Sequence, residues 1–202
     1  MRAAFGILIL FLTSAFVAEN DSPILIHRFI VQPTSKVIIS GKTNVNSFQC
    51  SSLYSGNDTL VLREGGKEIK PIFQQGVVNL EAAAFDCGMQ MMTSDFCKTI
   101  KAKEYPRISI NFLTFERGPL YTKASDRFKG KLKISLAGIT KTFDVDCTIV
   151  VKGDGLFHLK GDRKFVFSDF SLEAPTRMMG LVRVSENLDV SFNLVLKLDP
   201  NS

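Results

Sequence analysis

The sequence predicts an all-β protein, an extended antiparallel β-barrel of about eight strands with one short α-helix around residues 93–103. Three observations carry this. From Ile24 onward apolar and polar residues alternate with a period of two, as in strands with one buried face. Turn-forming residues punctuate the alternation at short intervals, which suits antiparallel neighbours. Only one stretch, "FDCGMQMMTSDFCKTIKAKEYP" (85–106), switches to a spacing of four, at Met92, Phe96 and Ile100, which is helical.

The N-terminal residues, "MRAAFGILILFLTSAFVA", carry one charge at Arg2, an apolar run from Phe5 to Leu12 and small residues before an expected cut after Ala18. This reads as a secretory signal peptide over 1–18. The apolar run breaks at Thr13 and Ser14, short of the roughly 20 residues that a membrane span needs. No cysteine stands at the cleavage region, so a lipoprotein is not expected. Residues 19–202 are expected to form one domain, periplasmic or secreted, with no stable membrane span.

Strands are expected at Ile26–Gln32, Lys36–Phe48, Thr59–Arg63 and Val77–Ala83. The helix follows over Thr93–Lys103, with Thr93 or Ser94 as cap and Asp95 at the positive end of its dipole. Pro106 pushes Tyr105 into an extended conformation and closes it. "RISINFLTF" puts Ile108, Ile110 and Phe112 on one face and slips after Phe112, which predicts a bulge near Leu113. "KLKISLAG" and "ITKTFDVDCTIVV" form a hairpin turning at Gly138, Ile139 and Thr140. "GLFHLKG" and "KFVFSDF" are read as two strands separated by a Gly161–Asp162 turn. "SLEAPTRMMG" (171–180) is read as a loop, and the last strand carries Leu188, Val190, Phe192, Leu194, Leu196 and Leu198 on one face.

Composition narrows the function classes. The 45% hydrophobic content and 17 phenylalanines belong to a packed globular chain. The formal charge of +5 falls to +4 once Arg2 leaves, and no run of Lys and Arg interleaved with aromatics suggests nucleic acid. His27 and His158 are the only histidines, and neither lies in a nucleophile, phosphate-binding or zinc motif. Asp144 and Asp146 share a polar face with hairpin lysines, a solvated charge surface. No catalytic residue and no cofactor is expected.

Cys87, Met89, Met91, Met92 and Cys97 raise the question of a soft-metal site. Met92 and Cys97 point in different directions on the expected helix and no histidine lies nearby, so no metal is expected. In an oxidising compartment four cysteines favour disulfides, with three pairings open. Cys50 and Cys87 both sit at element ends and are the preferred pair, leaving Cys97 and Cys147 to bridge or to pack as thiols.

The inward-facing inventory is large. Met92, Phe96 and Ile100 of the helix join Phe112, Leu132 and Ile134. Phe143, Val145 and Ile149 follow on the next strand, then Phe157, Phe192 and Leu194. A barrel of this size is either filled by such side chains or holds one small apolar ligand, and the residues alone fit both readings.

Four stretches in order, "SGKTNVNSFQC" (40–50), the helical segment through "RISI" (85–110), "GKLKISLAGITKTFDVD" (130–146) and "FSDFSLEAPTRMMGLVRVSENLDVSFNLVL" (167–196), resemble the YceI-like family of exported, lipocalin-like proteins. The resemblance implies an extended barrel holding an isoprenoid-type chain, polyprenyl or quinone-like, or another apolar lipid, for carriage, storage or stress response. It implies no catalysis. The oligomeric expectation is a monomer or homodimer. The rival expectation is a filled-core module that binds a protein partner through its loops. Arg107, Lys131 and Lys133 are head-group candidates by charge.

Overall fold

The alternation is realised as twelve strands in the computed structural model, which describes residues 23–65, 70–152 and 155–200. The expected signal peptide lies outside the described residues. In chain order the elements are β1 (Leu25–Val31), β2 (Lys36–Thr43), β3 (Ser47–Leu53), β4 (Thr59–Glu64), β5 (Ile72–Gln75), β6 (Val77–Glu81), α1 (Gln90–Thr99), β7 (Arg107–Phe115), β8 (Ser125–Leu136), β9 (Ile139–Val151), β10 (Leu156–Val166), β11 (Thr176–Arg177) and β12 (Val182–Leu198).

The order β1–β4–β5–β7–β8–β9–β10–β12, with β12 returning to pair β1 from Phe29↔Leu198 to Val31↔Leu196, makes a ring of eight antiparallel strands, unevenly disposed about its axis. The all-β barrel expected from the alternation is therefore the fold. β12 is its spine. The C-terminal residues of β12 hold β1, and Val184 to Asn193 hold β2 on the same edge, with β3 beyond. β5 and β6 meet successive parts of β7 across Gly76, where a Cβ would stand 2.1 Å from the Phe112 carbonyl oxygen. Only glycine fits so close to that backbone.

The two ends of the ring are built differently. At one end the ring is closed by named strands, β1 pairing with β4, β4 with β5, and β5 with β7 at Ile72 and Thr114. At the other, among the described residues, only a single bridge, Ser51 to Asp86, links β3 to the chain leaving β6. The Cys50–Cys87 disulfide spans this gap, and Phe96 of α1 and Ile100 just after it pack into the same end.

The closed end is full. Phe112 meets Phe192 edge-on at 5.7 Å, Phe73 meets Phe115 at 4.9 Å, and Phe115 meets Phe128 at 4.6 Å. Each such pair adds about 0.5–1.5 kcal/mol beyond area burial. Beneath them Arg117 grips the buried Asp126 carboxylate with two guanidinium hydrogen bonds, at 2.7 and 2.9 Å, and the Leu120 amide adds a third. Those hydrogen bonds hold the Asp126 carboxyl well below the usual range.

Several sequence expectations change. The expected strand Lys36–Phe48 is a hairpin, because Thr43 Oγ1 accepts from the Val45 and Asn46 amides and folds the tip. β6 stops at Glu81 and Ala82–Ala84 form a 3₁₀ turn. The helix begins and ends earlier than expected. Met89 precedes its first turn without a side-chain cap, Thr93 Oγ1 accepts from the Cys87 amide instead, and Asp95 lies mid-helix.

The β8–β9 turn is two residues, Ala137 and Gly138, both with positive φ, the geometry that follows strand twist. The bulge near Leu113 is present, as a register shift between Phe112 and Thr114. No turn occurs at Gly161–Asp162. β10 runs straight through, and Gly161 is small because the Phe192 ring lies against it, 2.3 Å from where a Cβ would be.

Beyond Asp162 the β9–β10 ladder ends. There Arg163 donates to the Asp144 carbonyl and stacks its guanidinium over Phe143 at 4.9 Å. The last strand starts at Val182, and the expected 171–180 loop contains the short β11, paired with Arg183 and Val182.

Candidate functional site

The end with the open ladder is hollow. Among the described residues β3 meets the chain beyond β6 at the Ser51–Asp86 bridge, and space remains behind it. An outer cavity of about 380 Å³ lies between the β2–β3 hairpin, α1 and the start of β12. Ile39, Phe48, Phe96, Phe167 and Leu188 are among its walls. A deeper pocket of about 100 Å³ adjoins it across Ile39, Phe96, Phe167 and Leu188, and reaches Phe85, Ile108 and Ile134. The outer volume is at the lower end of the roughly 300–1,000 Å³ of small-molecule sites, which are also mostly apolar with few polar groups.

Those polar groups are few and specific. Arg177 of β11 ion-pairs with Asp95 of α1, and both side chains line the outer cavity. Thr43, Asn46 and Thr99 add uncharged groups, all engaged within the protein: Thr43 Oγ1 donates to Asn46 Oδ1 at 2.8 Å and Thr99 Oγ1 to the Asp95 carbonyl at 2.9 Å. The Arg177 side chain is half exposed at the mouth.

The sequence-predicted lining divides in two. Met92 and Phe96 line the outer cavity, and Phe96, Ile100 and Ile134 line the deeper pocket. Phe112, Leu132, Phe143, Val145, Ile149, Phe192 and Leu194 are buried in the packed core and line neither, and Phe157 packs against Phe29 and Tyr121. Period two identifies an inward face correctly but does not say whether the opposite wall is near enough to fill the space.

Wall residues that the pattern did not single out are Ile39, Phe48, Phe167 and Val184, with Arg177 and Asp95; Leu188 was placed on the apolar face of the last strand but not named as lining. Arg177 lay in the segment read as a loop, and its only signal was a lone cation among apolar neighbours.

The head-group candidates face elsewhere. Lys131 pairs with Asp144 at 2.7 Å on the outer face of the β8–β9 hairpin, and Lys133 lies on that same face. Arg107 is exposed beside Glu81. Asp146 meets Lys129 at 3.7 Å, so both aspartates lie on a solvated charge face. His27 touches Glu64 at 3.2 Å and His158 touches Asn193 at 3.2 Å.

The sulfur atoms are also separated. Cys87 is bridged to Cys50, which leaves it no thiolate to offer a metal. Cys97 and Cys147 are free thiols, so the second bridge does not form. Cys147 is buried on β9, and burial pushes its thiol up to about 12. Cys97 lies on α1 with its sulfur 3.9 Å from the Ala82 carbonyl. Among the described residues no three of His, Cys, Asp and Glu converge, and no helix is long and apolar enough to cross a membrane.

No protein-family model and no curated protein matches the sequence. Solved structures do. A polyisoprenoid-binding domain from Saccharophagus degradans, implicated in plant cell wall breakdown, superposes with a TM-score of 0.60 at 13% identity, over 85% of this chain and 98% of that one. BcnA of Burkholderia cenocepacia gives 0.53 at 16% identity, over 80% and 95%. A YceI protein of Campylobacter jejuni gives 0.47 at 17% identity, over 98% and 93%. The first two likenesses establish a shared fold.

Proposed function

We propose that this chain is an exported member of the YceI-like group that holds one apolar lipid chain, isoprenoid-type or another amphiphile, for carriage, storage or stress response. The observation that carries the reading is the apolar outer cavity with a deeper pocket behind it and an Arg177–Asp95 pair in its wall. The name of the Saccharophagus degradans domain supports it. The modest volume favours a short chain, or a longer one whose remainder leaves through the mouth. Binding rather than catalysis suits walls with so few polar groups.

On this reading residues 1–18 are removed on export and 19–202 act as one domain, a monomer or homodimer in the periplasm or outside the cell. The Cys50–Cys87 bridge supports such an oxidising compartment. The test is mass spectrometry of solvent extracts from the purified protein, wild type beside Leu188→Trp. An apolar lipid in near-equal molar amount, depleted in the folded variant, supports the reading. An empty wild-type protein that also takes up no prenyl or fatty-acyl probe overturns it.

A further inference from the structure

The cavity opens through an unusual rim. Val45 at the β2–β3 tip, Met89 and Met91 at the start of α1, and Met179 and Leu181 before β12 are all exposed, Met91 by 68% and Leu181 by 71%. Val45, Met89 and Met91 also line the cavity, so the apolar surface continues from interior to exterior. Isolated exposed apolar residues are ordinary, whereas a contiguous group marks an interaction surface.

The rim is held in shape. Asn44 spends both ends of its amide on the opposite segment, its nitrogen donating to the Leu181 carbonyl at 2.8 Å and its oxygen accepting from the Arg183 amide at 2.9 Å. Val45 is thereby kept beside Leu181. A built apolar tip that contributes little to the core calls for an occupant outside it.

Charge identifies that occupant. The three segments forming the rim, 42–46, 89–99 and 176–184, contain Lys42, Lys98, Arg177 and Arg183 against the single carboxylate of Asp95. Asp95 is paired with Arg177. An apolar ridge on segments with more cations than carboxylates matches a bilayer with anionic head groups, into which such side chains insert while the cations stay at the surface.

We infer that this rim seats the protein on an anionic lipid surface, with the cavity mouth facing the bilayer so that a chain passes between them without crossing water. The inference rests on the lipid-binding reading above. Its test is kept separate by measuring ligand content and vesicle binding on the same samples.

The experiment is flotation of the full exported chain with vesicles of phosphatidylcholine alone and of equal parts phosphatidylcholine and phosphatidylglycerol. Binding is expected to the anionic vesicles and to weaken as salt is raised. Each cation removed, as in Arg183→Gln, is expected to weaken it about fivefold. Met179→Glu with Leu181→Glu, at positions that do not line the cavity, is expected to weaken it roughly tenfold or more while extracted lipid and melting temperature stay unchanged.

Wild-type protein that carries lipid yet floats with neither vesicle overturns the inference and leaves the lipid-binding reading standing. So does equal binding by the double variant, or a wild-type dimer that the same substitutions convert to monomer. The salt titration of wild-type protein decides the matter independently if the double variant fails to fold.

Discussion

Removing the Cys50–Cys87 bridge should soften the hollow end of the barrel more than the closed end. The bridge joins residues 37 apart in sequence. In the chain-entropy treatment a loop of that size gives about 4 kcal/mol, by constraining the unfolded chain. For a protein of this length about 1 kcal/mol moves the melting temperature by about 2–4 °C, so the Cys50→Ala, Cys87→Ala variant should melt about 8–16 °C lower.

Location adds a second consequence. Among the described residues, the Ser51–Asp86 pairing is the one backbone tie, besides the disulfide, between β3 and the chain after β6. Hydrogen exchange in β2, β3 and α1 should therefore rise in the variant, while β7–β9 stay protected. Differential scanning fluorimetry with and without reductant, followed by exchange mass spectrometry, measures both. A melting shift under about 3 °C, against the minimum of about 8 °C expected from loop size, refutes the stability argument. Uniform loss of protection across all strands refutes the assignment to one end.

Other expectations follow from single groups. The Asp126 carboxyl is held low chiefly by the Arg117 hydrogen bonds, so its stabilisation is present above the unfolded pKa, about 4, and is lost as pH falls towards the folded value. Asp126→Asn should thus destabilise at pH 7, and its melting difference from wild type should narrow below about pH 4; a constant difference down to low pH would contradict this.

The Tyr121 hydroxyl is buried without a hydrogen-bond partner among the described residues, so Tyr121→Phe should be neutral or stabilising by up to about 1 kcal/mol. The Tyr54 hydroxyl accepts from the Asp58 amide, and Tyr54→Phe should cost about 1 kcal/mol; urea unfolding of the two variants compares them, and the reverse order would be inconsistent with both assignments. Iodoacetamide on the native protein should label Cys97 before Cys147, whose thiol burial pushes up to about 12. Peptide mapping reads this, and early labelling of Cys147 would mean that β9 opens readily.

Much of the architecture was legible because period two is a local property. The faces of β7, β8 and β9, the bulge after Phe112 and the presence of one helix all follow from neighbouring residues. Misreadings arose where a distant group overrode a local signal. Gly161 looked like a turn and is a seat for the Phe192 ring. Asp95 looked like a dipole partner and is the counter-ion of Arg177. Asn44 looked like strand and is a clamp on Leu181 and Arg183.

By itself the sequence determined which side chains face inward and roughly where strands turn; it named the Cys50–Cys87 pair, although Cys50 lies in the middle of β3 and not at a strand end. Tertiary structure alone decided which inward residues are core and which are wall. That depends on the separation of opposing strands, set by where ladders close. β1 and β4 complete the ring around Phe112 and Phe192, so those rings touch. β3 and β6 do not close around Ile39 and Leu188, so a cavity remains between walls made of equally apolar residues.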